Sequence, residues 1–260
     1  MGKKYYNDYE FDIKKLSFGA VKTDDYSNKK ATIFYEDVEQ PIFKFNDFWF
    51  TFGIAAEKVY NGTDLTGNFK LSVAPYVNHT PQTESEKTTA KVLNGIRDAA
   101  INHILKHKTS YGISKKWTKE LIEDEVKEIV WRKKDKKTSE ILTGDEARTY
   151  IYLKVPSKIP KDKKTKEVIQ DEVTPKNIIA FFMDKKGNDI NASTLEGQKG
   201  KVQCFIKFKS VFKGGKGISI QLELYQAIYK VEKREKLKID FENEEDTDTL
   251  DKKLNVIEEE

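Results

Sequence analysis

The 260-residue sequence predicts a mainly β (α+β) chain: an antiparallel barrel, closed or partly open, with a helical insertion and a disordered acidic C-terminal tail. Three observations predict it. Short runs of β-branched and aromatic residues lie on both sides of one segment whose apolar residues fall three or four apart. Turns bearing Gly, Asn and Asp separate the runs. Charge also divides sharply: residues 240–260 hold ten acids and two bases, a net −8, which leaves +12 on residues 1–239 of a chain whose total is +4.

The first β-strands are expected between residues 11 and 76. Phe11–Lys14 alternates, and Ala31–Tyr35 is β-branched and aromatic. Pro41–Phe45 leads through an Asn46-Asp47 turn into the aromatic run Phe48–Ile54, and Phe69–Val73 alternates again. The period changes between Glu84 and Lys108, where Val92, Leu93, Ile96, Ala100, Ile104 and Leu105 form one helical stripe with Ser85 as its N-cap. A shorter helix is expected from Trp117 to about Val130. β-Strands return at Arg148–Val155, which stops at Pro156, and at Ile178–Met183, read as a buried strand. Val202–Phe212 and Ile218–Tyr229 read as a hairpin around Lys213-Gly214-Gly215-Lys216-Gly217. Lys158–Glu172 is lysine-rich and core-poor, and reads as a mobile loop. The expected organisation is a body over 1–239, with a helical insertion over about 84–130, basic loops over about 131–147 and 156–176, and a tail over 240–260. An OB-like barrel fits this order of elements, with a β-sandwich as the alternative that periodicity does not separate.

Composition narrows the chemistry. Aromatics at 12% argue against a wholly disordered chain, despite 35% charged residues and a mean hydropathy of −0.70. The lone Cys204 cannot form an intramolecular disulfide, and the N-terminus lacks the apolar stretch of a signal peptide. An intracellular protein without a membrane span is therefore expected. His103 and His107 have a metal-binding spacing on a helix, but His79 is distant and Ile104 stands where a zinc protease carries glutamate. They read as two surface histidines, so neither a metal, a cofactor nor a catalytic residue is expected. No Gly-x-Ser-x-Gly motif occurs, and the Lys213–Gly217 turn lacks the spacing of a nucleotide-binding P-loop.

Alternation then sorts side chains onto faces. In 148–155, Thr149, Ile151, Leu153 and Val155 point to the core, which leaves Arg148, Tyr150, Tyr152 and Lys154 together on the other side. In 202–212, Phe205, Lys207 and Lys209 point outward, and Phe212 inward; in 218–229, Tyr225 and Tyr229 face out. Lys213 and Lys216 flank the glycine turn, and Lys44 and Trp49 of the early aromatic block complete the candidate set. Flat rings beside ammonium groups suit a single nucleic-acid strand. Exposed bases stack on rings while lysines draw in the phosphates. Lysine outnumbers arginine 43 to 4, which favours backbone attraction over base readout. The competing reading packs these rings under the helices as a second core layer. Two further functional readings stay open: a structural or protein-interaction component, and a metal-dependent nuclease built on carboxylates such as Glu123 and Asp124 near Lys127.

The blocks Pro41–Phe45 and Phe48–Ile54, with Phe208–Phe212 and Gly217–Ile220 running to Gln226-Ala227, resemble the single-stranded DNA-binding proteins of large nucleocytoplasmic DNA viruses. The resemblance covers about a fifth of the chain. It implies an OB-fold body, single-stranded DNA (RNA as the alternative) as the partner, and a role in viral DNA replication, recombination or repair. The acidic tail is similar to those by which phage and bacterial single-strand binders contact replication proteins. Those tails commonly end in an aromatic residue, whereas this one ends Glu258-Glu259-Glu260. A homo-oligomer is compatible with all of this.

Overall fold

The computed structural model describes residues 4–59, 62–76, 80–135, 137–142 and 149–230. Its N-terminal part holds β1 (Tyr6–Asn7), β2 (Leu16–Phe18), β3 (Lys22–Thr23), β4 (Lys29–Tyr35), β5 (Val38–Glu39) and β6 (Ile42–Lys44). Two long strands follow, β7 (Trp49–Lys58) and β8 (Leu65–Ala74), then helices α1 (Glu84–Lys106) and α2 (Lys119–Glu125). The remainder is β9 (Trp131–Arg132), β10 (Thr149–Val155), the short β11 (Phe181–Asp184), and the long hairpin of β12 (Gly200–Gly214) and β13 (Gly217–Lys230). The chain is mainly β with two helices. Its sheet is mixed rather than purely antiparallel, because β1–β6, β10–β13 and β11–β13 pair in parallel.

One set of pairings returns on itself. β12 pairs with β7, β7 with β8, β8 with β10, β10 with β13, and β13 with β12. The link between β10 and β13 is the weak one, a single register at Lys154 and Glu223. There the two strands diverge. Inside the cycle lie Leu71, Val73, Ile151, Leu153, Val155, Val202, Ile206, Phe208 and Leu224, all fully buried.

The bulges explain where strict alternation fails. In the β12–β13 ladder, Phe205 faces Gln226 but Ile206 faces Leu224, so Tyr225 is the extra residue and side chains beyond it change face. Tyr229, expected outside, is therefore buried against Phe182. A second slip at Lys209 puts Val211 rather than Phe212 in the core. In β7, Gly53 takes φ +85°, and a Cβ there would lie 2.4 Å from the backbone nitrogen of Gln198, so only glycine fits.

The helices form where the stripe predicts, with different ends. Thr83, not Ser85, caps α1, in a capping box with Glu86. Gly95 admits Phe11, since a Cβ there would meet that ring at 2.9 Å. α2 stops at Glu125 instead of running to Val130, because the Lys127 amide donates to Ile218 O of β13. Phe11–Lys14 is no β-strand; Ile13–Lys15 forms a single 3-10 turn. Lys158–Glu172 is a loop that folds back onto β8. Lys161 and Val168 bridge, Ile159 sits over Gly67, and the Gln170 amide both accepts from Leu65 N (2.6 Å) and donates to Leu65 O (3.1 Å). Ile178–Met183 is no buried strand either: only Phe181–Asp184 is strand, paired with β13 and bridged at Met183 to Asp189, and Ile179 and Phe181 are exposed. No helix among the described residues is long and apolar enough to cross a membrane. Residues 240–260, expected as a tail, lie outside the described residues.

Candidate nucleic-acid interface

The outer face of β7, β8 and β10 carries a row of rings that no helix covers. In β7, Trp49 and Thr51 point into the core, and Phe50 and Phe52 point out at 39% and 38% exposure. β10 contributes Tyr150 and Tyr152, the latter 50% exposed. β9 pairs Trp131 opposite Tyr150 and leaves its indole 45% exposed. Phe50 and Phe52 meet edge to face at 5.0 Å, Phe52 and Tyr150 lie 6.1 Å apart, and Tyr150 and Tyr152 lie 6.4 Å apart with planes only 16° from parallel. Burial, and then the neighbouring Tyr150, raise the Tyr152 phenol above its usual value, so the ring is neutral at physiological pH.

Cations flank this row. Lys70 of β8 stands directly opposite Lys154 of β10, and its Nζ lies 5.8 Å from the Tyr152 ring centroid. Like charges facing each other across a ladder are destabilising. Neither lysine makes a salt bridge among the described residues. Between β10 and the diverging β13, a depression of about 420 Å³ is lined by Lys70, Tyr152, Lys154, Leu222, Asn68 and one acid, Glu57.

The other candidates lie elsewhere or are engaged. Trp49 is 1% exposed, its ring 4.9 Å from Phe45, so it cannot stack on a base; period two within 49–52 already marks Phe50 and Phe52 as the outward pair. Phe205 does leave the core side of β12, but Tyr5 packs edge-on against it at 5.3 Å and Lys44 lies 5.9 Å from its centroid, leaving 6% exposed. Lys207 and Lys209 both bind the Glu223 carboxylate, each at 2.7 Å, and are not open cations. Burial alone would raise that carboxyl, and the two lysine hydrogen bonds outweigh it, holding Glu223 below its ordinary value. Lys213 and the exposed Lys216 sit at the hairpin end, where Gly217 packs beside Glu125 of α2. Arg148 lies outside the described residues. The structure thus brings Tyr150, Tyr152 and Lys154 together with Phe50, Phe52, Lys70 and Trp131, and sets Lys44 and Phe205 in a second cluster around Tyr5.

The histidines are not both on the surface. His103 stacks on Phe18 at 4.7 Å, and burial, then His107, lower its pKa to about 4. Among the described residues, no three His, Cys, Asp or Glu side chains converge as a metal-binding group.

No curated protein matches the sequence. Among solved structures, the chain overlays in part on gp2.5, a single-stranded DNA-binding protein encoded by bacteriophage T7, at 15% identity and a TM-score of 0.37, covering 72% of this chain and 85% of that one. It also overlays on the single-stranded DNA-binding protein from bacteriophage Enc34, at 9% identity and a TM-score of 0.39 over 86% of this chain and 96% of that one. The Enc34 protein in complex with single-stranded DNA gives 9% and 0.41, over 83% and 96%. These overlays are too loose to carry residue roles across. Residues 10–255 match the family model described as "Protein of unknown function (DUF2738)", and the chain belongs to that family.

Proposed function

We propose that this chain binds single-stranded DNA, with RNA as the alternative, through the outer face of β7, β8 and β10 and the groove between β10 and β13. The binding is sequence-tolerant and non-catalytic, and serves viral DNA replication, recombination or repair. The observation that carries the reading is the half-exposed Tyr152 ring beside two directly opposed lysines, Lys70 and Lys154, neither of which makes a salt bridge among the described residues. A base stacked on Tyr152 brings its flanking phosphates to those lysines, and the anion removes their mutual repulsion.

The topology supports the reading as well. Numbered along the chain, the closed cycle is β7, β8, β10, β12 and β13, and its ring order is first, second, third, fifth, fourth. We read it as an OB-like barrel, a fold that binds oligonucleotides on its second and third strands and on the loops after the first and fourth. Here the second and third strands are β8 and β10, which carry Lys70, Tyr150, Tyr152 and Lys154. The loop after the fourth is the Lys213–Gly217 turn. The helices enter between the second and third strands.

Fluorescence anisotropy with a labelled oligo-dT over a salt series tests this. Micromolar or tighter binding that weakens steeply with salt is expected, with duplex DNA a poor competitor. Tyr152→Ala should cost about 1–3 kcal/mol of affinity, one stacked base. Binding that is absent, or indifferent to both salt and Tyr152→Ala, rejects the reading.

A further inference from the structure

We propose that the groove does not end at Trp131 but continues to an arginine-lined anchor that holds one phosphodiester of the bound strand, with Trp131 stacking the adjoining base. The inference rests on single-strand binding by the sheet face and extends its footprint onto the segment joining α2 to β9.

Shared walls make the path continuous. The 420 Å³ depression and a smaller one of about 80 Å³ meet at Tyr152 and Leu222. The smaller one meets a depression of about 370 Å³ at Trp131, and that one meets a fourth, of about 270 Å³, at Arg97 and Arg132. Rings thus mark the near half of the groove and guanidinium groups the far half. Two of the chain's four arginines, among 43 lysines, border the same two depressions. Arginine differs from lysine in its planar fork, which matches a phosphate bidentately.

Arg97 is held for such a role. Its Nη2 donates to Glu123 O at 2.7 Å and Val126 O at 2.8 Å, which fixes the guanidinium plane against the end of α2. Its Nε is closed off from solvent and has no acceptor among the described residues, so Arg97 gives the groove a fixed charge, while the exposed guanidinium fork is that of Arg132. Arg132 is exposed and pairs through its backbone with Thr149, so its side chain is not needed to hold β9. Acids narrow the position. Glu123, Asp124 and Glu128 share the 370 Å³ depression with Arg97, Lys127, Arg132 and Lys134, whereas Glu128 is the one acid lining the 270 Å³ depression. The anion therefore sits on the 270 Å³ side of the two arginines, away from Glu123 and Asp124.

The test uses the full chain and a labelled oligo-dT of about 15 nucleotides, near the upper end of what one OB fold covers. Arg132→Gln should lower the slope of log affinity against log salt by about 0.7, one phosphate contact fewer. Lys186→Gln, an equal loss of charge on the exposed Asp184–Asn188 turn, should leave that slope unchanged. Trp131→Ala should weaken binding about 5- to 150-fold, the loss of one stacked base. If Arg132→Gln keeps the wild-type slope, shares its change with Lys186→Gln, or Trp131→Ala binds as tightly as wild type, the anchor is overturned while sheet binding stands. A wild-type chain that binds no oligo-dT overturns the underlying function instead.

Discussion

Glu223 shows how one residue decides which lysines are available. It projects from β13 onto the face where β12 presents Lys207 and Lys209, and its carboxylate takes both ammonium groups. Lys154, next to it in register across the β10–β13 gap, is left without that partner. The three lysines look alike in sequence, and only the third faces the groove uncompensated. Because the native carboxyl lies below its ordinary value of 4.5, its contribution to stability is complete above that pH. It is lost as pH falls through the lowered native value, where protonation breaks both bonds. Glu223→Gln should destabilise the fold by about 1.5–3 kcal/mol at neutral pH, the scale of a hydrogen bond to a charged group. It should also flatten the acid limb of stability, seen by urea unfolding from neutral pH to about pH 3. A variant that unfolds with the wild-type pH profile would remove Glu223 from this role.

At the scale of elements, the bulge in β7 aligns the ring row. Thr51 pairs with Val73 and Ile54 with Leu71, so two residues of β7 intervene where β8 has one. Gly53 absorbs the extra residue at φ +85°, and its amide donates to Thr51 Oγ1 at 3.1 Å. Phe50 and Phe52 stay outside while Ile54 returns to the core. Gly53→Ala should cost at least about 1–3 kcal/mol from the positive φ alone. The contact with the Gln198 backbone adds to it, since neither partner is a side-chain tip that can swing away. Chemical denaturation measures this directly; an unchanged midpoint would show that the bulge accepts a Cβ. Such irregularities mark the boundary of what the sequence reveals. Thr149–Val155 reads correctly in full because no bulge interrupts it, and its core and outer residues fall where period two puts them. Val202–Phe212 and Ile218–Tyr229 read correctly as a hairpin, but their faces do not survive the slips at Lys209 and Tyr225. Phe205 reads as outward and is so; what alternation cannot report is Tyr5, some 200 residues earlier, folding over it. Trp131 escapes notice because a two-residue strand leaves no periodic trace, and its exposure arises from pairing with Tyr150.

Across the whole molecule the decisive quantity is the division of charge. Residues 1–239 carry +12 and residues 240–260 carry −8. Lys70 and Lys154 add local repulsion that an anion relieves, and a polyanion tethered to the same chain is present at high effective concentration. On the proposed function, we infer that a segment of that sign competes with an oligonucleotide for the groove through the same lysines. Removing residues 240–260 should tighten oligo-dT binding, most at low ionic strength. The gain should shrink as salt rises toward physiological values, where the Debye length falls to about 8 Å. The slope of log affinity against log salt should steepen in the truncated chain, because binding no longer displaces an internal anion that salt also weakens. Anisotropy titrations of the two proteins side by side measure both quantities. Equal affinities at every salt concentration would mean that the tail acts elsewhere, leaving solubility or recruitment of a basic partner as its use.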